Sequence, residues 1–360
     1  MRIAFDVSPL SHEPTGIGNY IRGSLAGLAE AAGGAHEIVA FAPTSPEGMR
    51  RIPERLAGLP VTLELQLLPF SHHWRQAWSR FGRPGVERFL GPVDVLHYTD
   101  WMFPPQRSGL RSTMIHDLVP LHHPEWVTRR TLSMHTAKYR DARTCDTVFV
   151  NSEFTGRDVV ATLGVEPARV HVAPPGLSPG FAPEGAQAEL EGPYVLTVAT
   201  LEPRKNLQVL VEAHRLLGGR FLLAVVGGAG WGEQPTLDVP GIVRLGRQSD
   251  EQLAGLYRGA AVVAYPSRFE GFGMPIVEAM ASGAPVVAST HHSLDEAAGS
   301  VALRADPDDP AAWATALVEA AERRAELAAA GVEHARQFTW RRVGETMLAA
   351  WEARQSEARR

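Results

Sequence analysis

Residues 260–289 read AAVVAYPSRFEGFGMPIVEAMASGAPVVAS. An apolar run (260–267) gives way to a glycine-punctuated loop, a helix-like segment starts near Pro275, and a second apolar run follows at 284–289. Neither run alternates polar with apolar residues, so each suits a strand covered on both faces, as in a parallel sheet. Pro275 is suited to the first helical turn, and Gly283 supplies a stop. Glu270 stands before the turn, and Glu278 lies one turn inside the helix on the face above Pro275. Acids favour the positive end of any helix. Two carboxylates converging with free backbone N–H groups also make a natural grip for neighbouring hydroxyls of a ribose or hexose.

The same rhythm runs through the whole chain. In the first half the predicted strands are 2–7, 36–42, 61–68, 93–98, 112–117, 147–152 and 170–173. In the second they are 194–200, 220–228, 241–246, 260–267, 284–289 and 300–305, after which the chain turns helical. Between the halves, PPGLSPGFAPEGAQAELEGP (174–193) is dense in proline and glycine and reads as a linker. The expected architecture is α/β: a Rossmann-like, doubly wound parallel-sheet domain at 1–173, a second at 194–340, and a cleft between them. Ligands of such sheets sit at the carboxyl ends of the strands.

A chain of 360 residues is comfortable for two such domains. With 35 basic against 40 acidic residues the net charge is −5, which does not suggest a nucleic-acid-binding surface. The single cysteine, Cys145, excludes an internal disulfide and fits a reducing cytoplasm. No apolar run approaches the roughly 20 residues of a membrane span, and the opening MRIAFDVSPL reads as a strand rather than a secretory signal. A cytoplasmic protein, at most peripheral to the inner membrane face, is expected.

Three loops at predicted strand ends carry the chemistry. Gly16-Ile17-Gly18 follows the first strand and opens a helix, where backbone N–H groups can approach an anion. The dinucleotide fingerprint needs a third glycine where Ile21 stands, and the second strand runs into Ala42 and Pro43 instead of an acid, so a hydride-transfer enzyme loses ground. Arg204 and Lys205 fall between strand and helix in YVLTVATLEPRKNLQVL, either as a solvated pair or as a fork and a point charge for a diphosphate. His116 closes the strand STMIHD, where it can bond a substrate hydroxyl or sit bonded within its own loop.

With GIGNY, HDLVP, VNSEFT, LEPRKN, LGRQSDEQLAGLYRGA and the E-x₇-E of Glu270 and Glu278 assembled, the chain resembles the family-four retaining glycosyltransferases of GT-B fold over essentially its full length. The resemblance implies that Arg204 and Lys205 hold the diphosphate of a nucleotide-sugar donor, helped by backbone near Gly16 and Gly18. It implies that Glu278 grips the ribose, that Glu270 with Gly271, Phe272, Gly273 and Met274 contacts the transferred sugar, and that His116 meets its far side. Arg247 would line the base pocket. No metal and no resident cofactor are implied, the catalytic set being Arg204, Lys205, Glu270 and His116. The last helix (341–360) would cross back onto the first domain. Asn19 stands where relatives often carry a basic residue, which removes a third cation from that loop.

HDLVPLHHPEW and SLDEAAG resemble relatives that handle mannose-type donors and build surface polysaccharides, which points to GDP-mannose ahead of a UDP-sugar, and to a glycan or lipid-linked acceptor. In 70–89, Trp74, Trp78 and Phe81 interleave with Arg75, Arg80, Arg83 and Arg88. A helix there could touch anionic lipid, but packing of its aromatic side on its own domain is the favoured expectation. Two other functions compete: a nucleotide-sugar epimerase, and a catalytically silent nucleotide-sugar-binding partner in a glycan-assembly complex. The E-x₇-E and Arg-Lys motifs disfavour the first, and the complete motif set disfavours the second.

Overall fold

The computed structural model describes residues 1–358 apart from 14–15, 69, 100–102, 231, 233 and 234. The chain divides into two compact units, Met1–Gly176 with Thr339–Arg360, and Leu177–Phe338.

The first unit is built on β1 (Arg2–Asp6), β2 (Glu37–Thr44), β3 (Thr62–Leu67), β4 (Val95–Tyr98), β5 (Leu110–Ile115), β6 (Thr147–Val150) and β7 (Val170–Val172). They form one sheet in the order β3-β2-β1-β4-β5-β6-β7, every pair parallel. The second unit holds β8 (Tyr194–Val198), β9 (Leu222–Val226), β10 (Ile242–Gly246), β11 (Val262–Tyr265), β12 (Val286–Ser289) and β13 (Leu303–Ala305). Its sheet runs β10-β9-β8-β11-β12-β13, again all parallel. Every strand falls on one of the apolar runs read from the sequence. The reason is burial on both faces. Ile3 and Phe5 pack in one core cluster while Ala4 packs in another, and Val195 and Leu196 divide in the same way.

In both sheets the strand order reverses beside the first-made strand, between β1 and β4 and between β8 and β11. Loops leaving the carboxyl ends of such neighbours diverge to opposite faces and open a crevice, the usual ligand position of these sheets.

The helix Trp340–Ala358 closes the first unit by packing along the helix Gly16–Ala32. A Cβ on Gly27 would stand 1.7 Å from the Trp340 carbonyl oxygen, so the two backbones touch where only glycine fits. Further along, Trp351 is fully buried, and its Nε1 donates to Ser112 Oγ on β5 (3.0 Å) and Thr147 Oγ1 on β6 (3.2 Å).

Of the stretch 174–193, expected as a linker, residues 177–193 belong to the second unit. Phe181 is buried with its ring edge-on to Tyr257, and Arg258 donates to the carbonyls of Ala182 (3.1 Å) and Ala186 (2.8 Å). Outside helix and ladder, part of its backbone is satisfied by that guanidinium and by main chain, with Ala188 N–H donating to the Gly255 carbonyl at 2.9 Å.

The 70–89 stretch departs from the favoured expectation. Its helix spans Ser71–Phe81, but the aromatic residues divide. Trp78 turns inward, packing edge-on to Phe89 and donating to the Pro84 carbonyl at 2.6 Å. Arg75 takes the other inward position and is buried, while Trp74 and Phe81 are 58% and 75% exposed. Among the described residues, no helix is long and apolar enough to cross a membrane.

Candidate active site

Two loops of the second unit meet at its strand-order reversal. After β8 the chain makes a short 3-10 turn, Pro203–Lys205, and Asn206 then takes a left-handed conformation (φ 53°) before the helix Leu207–Leu216. Asparagine tolerates that region better than most residues. After β11 the chain passes through 266–273 into the helix Met274–Ala281. Arg268 N donates to the Arg204 carbonyl (2.9 Å), and Asn206 Nδ2 to the Pro266 carbonyl (3.3 Å). The loops are therefore tied backbone to backbone.

Glu270 lies at their meeting point and is 7% exposed. Its Oε1 accepts from Lys205 Nζ (2.6 Å), Tyr265 OH (2.9 Å) and Ser267 Oγ (2.5 Å), and its Oε2 from Arg204 Nη1 (2.5 Å). Its backbone N–H donates to Ser293 Oγ at 2.9 Å. Burial pushes the Glu270 pKa upward, but Arg204 and Lys205 overcome this and hold it down to about 2. The carboxylate is ionised at any working pH. Arg204 is oriented from its other side by Glu202, whose Oε1 accepts from Nη2 (2.6 Å) and Nε (3.1 Å), and it also donates to the Phe269 carbonyl (2.9 Å). Two cations and two carboxylates thus form one compact ionic cluster.

Glu278 sits differently. Its Oε2 accepts from Tyr257 OH at 3.0 Å, and burial raises its pKa to about 7 against the opposing effect of that bond. Tyr265 donates to Glu270 alone, and burial, then the charge of Glu270, raise its pKa. Gly273 precedes the helix with φ 104°, a conformation that favours glycine, and a Cβ there would meet Leu294 at 2.9 Å. Phe272 buries its ring against Phe338, so only its backbone faces the loop; Gly271 is buried beside it, and Met274 is partly exposed at the helix start. Arg247 follows β10 as an exposed side chain lying over Gly228, which follows β9.

In the first unit His116 follows β5. Asn151 Nδ2, at the end of β6, lies 3.1 Å from His116 Nδ1 and 3.4 Å from its carbonyl oxygen. The amide nitrogen donates to both, which leaves the imidazole proton on Nε2. Burial, reinforced by Lys138, pushes the His116 pKa down to about 3, so the ring is a neutral hydrogen-bonding group. Tyr20 packs edge-on to it at 5.2 Å from one turn inside the helix that begins at Gly16. Gly16 is exposed and Gly18 buried in that first turn, while the preceding residues 14–15 lie outside the described part.

Within the second unit the structure therefore gathers Arg204, Lys205 and Glu270 directly, while Glu278 is bonded apart from them, to Tyr257. Sequence reasoning missed Glu202, Tyr257, Tyr265, Ser267 and Ser293, and Asn151 in the first unit. Glu202 stood two positions before Arg204 in a motif already singled out, and Asn151 was the next-to-last residue of the predicted strand 147–152. Tyr257, Tyr265, Ser267 and Ser293 also lay inside quoted motifs, but no spacing within those motifs marks them as partners of the acids.

Residues 14–181 match the family described as Glycosyltransferase Family 4, and 192–323 match Glycosyl transferases group 1. The chain is 27% identical to the O-antigen chain mannosyltransferase B of Escherichia coli, covering 94% of this chain and 96% of that one. It is 31% identical to the D-inositol 3-phosphate glycosyltransferase of Corynebacterium glutamicum (strain R), covering 69% of each. The sucrose-phosphate synthase structure from Thermosynechococcus elongatus superposes with a TM-score of 0.71 at 20% identity over 100% of both chains. Two all-parallel α/β units and matches over both halves lead to one conclusion: the chain belongs to the family-four glycosyltransferases and has their GT-B fold.

Proposed function

We propose that this chain is a retaining hexosyltransferase that moves a mannose-type sugar from a nucleoside-diphosphate donor to a hydroxyl of a glycan or lipid-linked acceptor. The observation that carries the reading is the buried cluster of Arg204, Lys205 and ionised Glu270 at the strand-order reversal of the second sheet. In the reaction, the bond between the anomeric carbon and the diphosphate oxygen breaks, and its electron pair stays on the leaving phosphate. The acceptor oxygen then bonds the anomeric carbon on the same face and gives its proton to that phosphate.

Two charges develop along this path, negative on the diphosphate and positive on the sugar. Arg204 and Lys205 meet the first with fixed cations, supplying the charge that a divalent metal would otherwise bring. Glu270, kept anionic by the same cations, favours the second. Glu278 receives the ribose hydroxyls, Arg247 the base, and the N–H groups of Gly271, Phe272, Gly273 and Met274 the sugar. Gly16 and Gly18 add backbone donors for the diphosphate, and neutral His116 offers Nε2–H to a sugar hydroxyl. The mannosyltransferase relative that spans nearly the whole chain supports mannose, and GDP-mannose is the favoured donor ahead of a UDP-hexose.

A panel of GDP-, UDP- and ADP-sugars, assayed for binding and slow hydrolysis, tests this. One donor should bind selectively, and its hydrolysis should fall about 100-fold or more in Glu270→Ala and Lys205→Ala. Failure of every donor to bind would sink the reading. Binding without turnover, with acceptor glycans supplied, would instead assign a silent nucleotide-sugar-binding partner.

A further inference from the structure

Apart from Met49 and Leu216, every exposed large hydrophobic side chain among the described residues lies between 63 and 89: Leu63, Leu67, Phe70, Trp74, Phe81 and Phe89. Scattered apolar side chains are normal on a surface, whereas one concentration of them marks a contact site. Leu63 and Leu67 stand on β3, the edge strand of the first sheet, and the rest surround the helix Ser71–Phe81. Trp74 and Phe81 are seven positions apart and share a face of that helix. Phe70, 80% exposed, is held in a left-handed backbone conformation (φ 55°) unfavourable to a bulky residue.

The charge of the stretch is equally one-sided. From Leu63 to Phe89 the acids are Glu64 and Glu87, both partly buried, while Arg80, Arg83 and Arg88 are exposed among the aromatic side chains. Exposed tryptophan and phenylalanine beside arginine suit the boundary between lipid headgroups and acyl chains. A two-fold pairing of this face with a second copy would set exposed arginines against exposed arginines, since Glu64 is only partly exposed and Glu87 already accepts from the Arg107 and Ser108 N–H groups. We propose that this face docks onto an anionic lipid bilayer. The helix that docks also lines a pocket within its own unit: Arg75 and Trp78 on its inner side, with Asp6, Ser8 and Tyr98 from the carboxyl ends of β1 and β4.

Flotation with vesicles tests the docking independently of any sugar chemistry. The protein should bind vesicles of equal phosphatidylglycerol and phosphatidylcholine, and bind pure phosphatidylcholine far more weakly. Trp74→Ser/Phe81→Ser and Arg80→Glu/Arg83→Glu should each reduce binding at least about tenfold while leaving the melting temperature and soluble-donor binding unchanged. Absence of binding to the anionic vesicles, or equal binding by both variants, overturns the proposal. So does a sedimenting dimer that Trp74→Ser/Phe81→Ser turns into a monomer, since the face would then belong to a second copy.

Discussion

Lys205 Nζ lies 2.6 Å from Glu270 Oε1 although 65 residues separate them in sequence, and Arg204 takes the other oxygen of the same carboxylate. Removing one partner of such a buried pair leaves the other charge poorly compensated. Lys205→Met should therefore lower unfolding free energy by on the order of 3 kcal/mol and kcat/KM by about 100-fold. In the double variant Lys205→Met/Glu270→Gln the two stability losses should add to less than their sum, by roughly 1 kcal/mol or more. Denaturant titrations of the four proteins in the cycle supply the check. Strict additivity would mean that the contact carries no coupling.

Glu278 makes the protein sensitive to pH in the opposite sense from a salt-bridged acid. Its folded pKa is raised to about 7, above the ordinary glutamate value, so the folded state holds the proton more tightly than the unfolded chain. Its contribution to stability is fullest below about pH 4, declines as pH rises to about 7, and stays level above. Glu278→Gln should lack this decline, improving relative to wild type by up to roughly 3 kcal/mol across that interval. Donor affinity should show the reverse trend, because an ionised carboxylate is the better acceptor for ribose hydroxyls. Calorimetric binding at pH 6 and 8 should differ by about tenfold in wild type and little in Glu278→Gln.

A neutral His116 leaves a spectroscopic signature. With its pKa pushed down to about 3 by burial, its ring resonances should not move between pH 5 and 8, unlike those of an exposed histidine. The pH–rate profile should accordingly have no limb that disappears in His116→Asn. Under the role proposed for His116, transfer by that variant should still fall about tenfold or more with the loss of Nε2–H. A titration of His116 near neutrality would contradict the assigned tautomer and its role together.

The terminal helix predicts a stability change confined to one unit. Trp351→Ala removes a fully buried indole and two hydrogen bonds, and should cost about 3–5 kcal/mol. Gly27→Val should be at least as harmful, because its side chain would enter the Trp340 backbone. Hydrogen exchange should show protection lost in β1, β4, β5 and β6 but kept in β8, β9 and β11. Equal loss in both sheets would mean that the units unfold as one.

The fold was legible because parallel strands buried on two faces must be almost continuously apolar, and thirteen such runs are present. Even the edge strand β10, with Arg244 exposed between Val243 and Leu245, kept enough of that character to be found. Arg204, Lys205, Glu270 and Glu278 were legible through the resemblance that their motifs carry. Tyr257, 21 residues from its partner Glu278, and Ser293, 23 from Glu270, were not. Such pairings are made by the stacking of loops at a sheet end, which one-dimensional spacing does not encode. The helix Ser71–Phe81 shows the opposite limit. Its aromatic repeat was visible, but repeats do not say which face turns inward, and Arg75 with Trp78 took that place.

The first unit is discontinuous in sequence, and this orders its manufacture. Its sheet emerges from the ribosome early, yet the helix that buries Trp351 against β5 and β6 is translated only after the whole of Leu177–Phe338. The second unit, an uninterrupted segment, can complete its core while the first still exposes an apolar groove along Gly16–Ala32. The half of the protein begun first is thus the half finished last, and nascent chains should need protection on that groove until the final helix arrives.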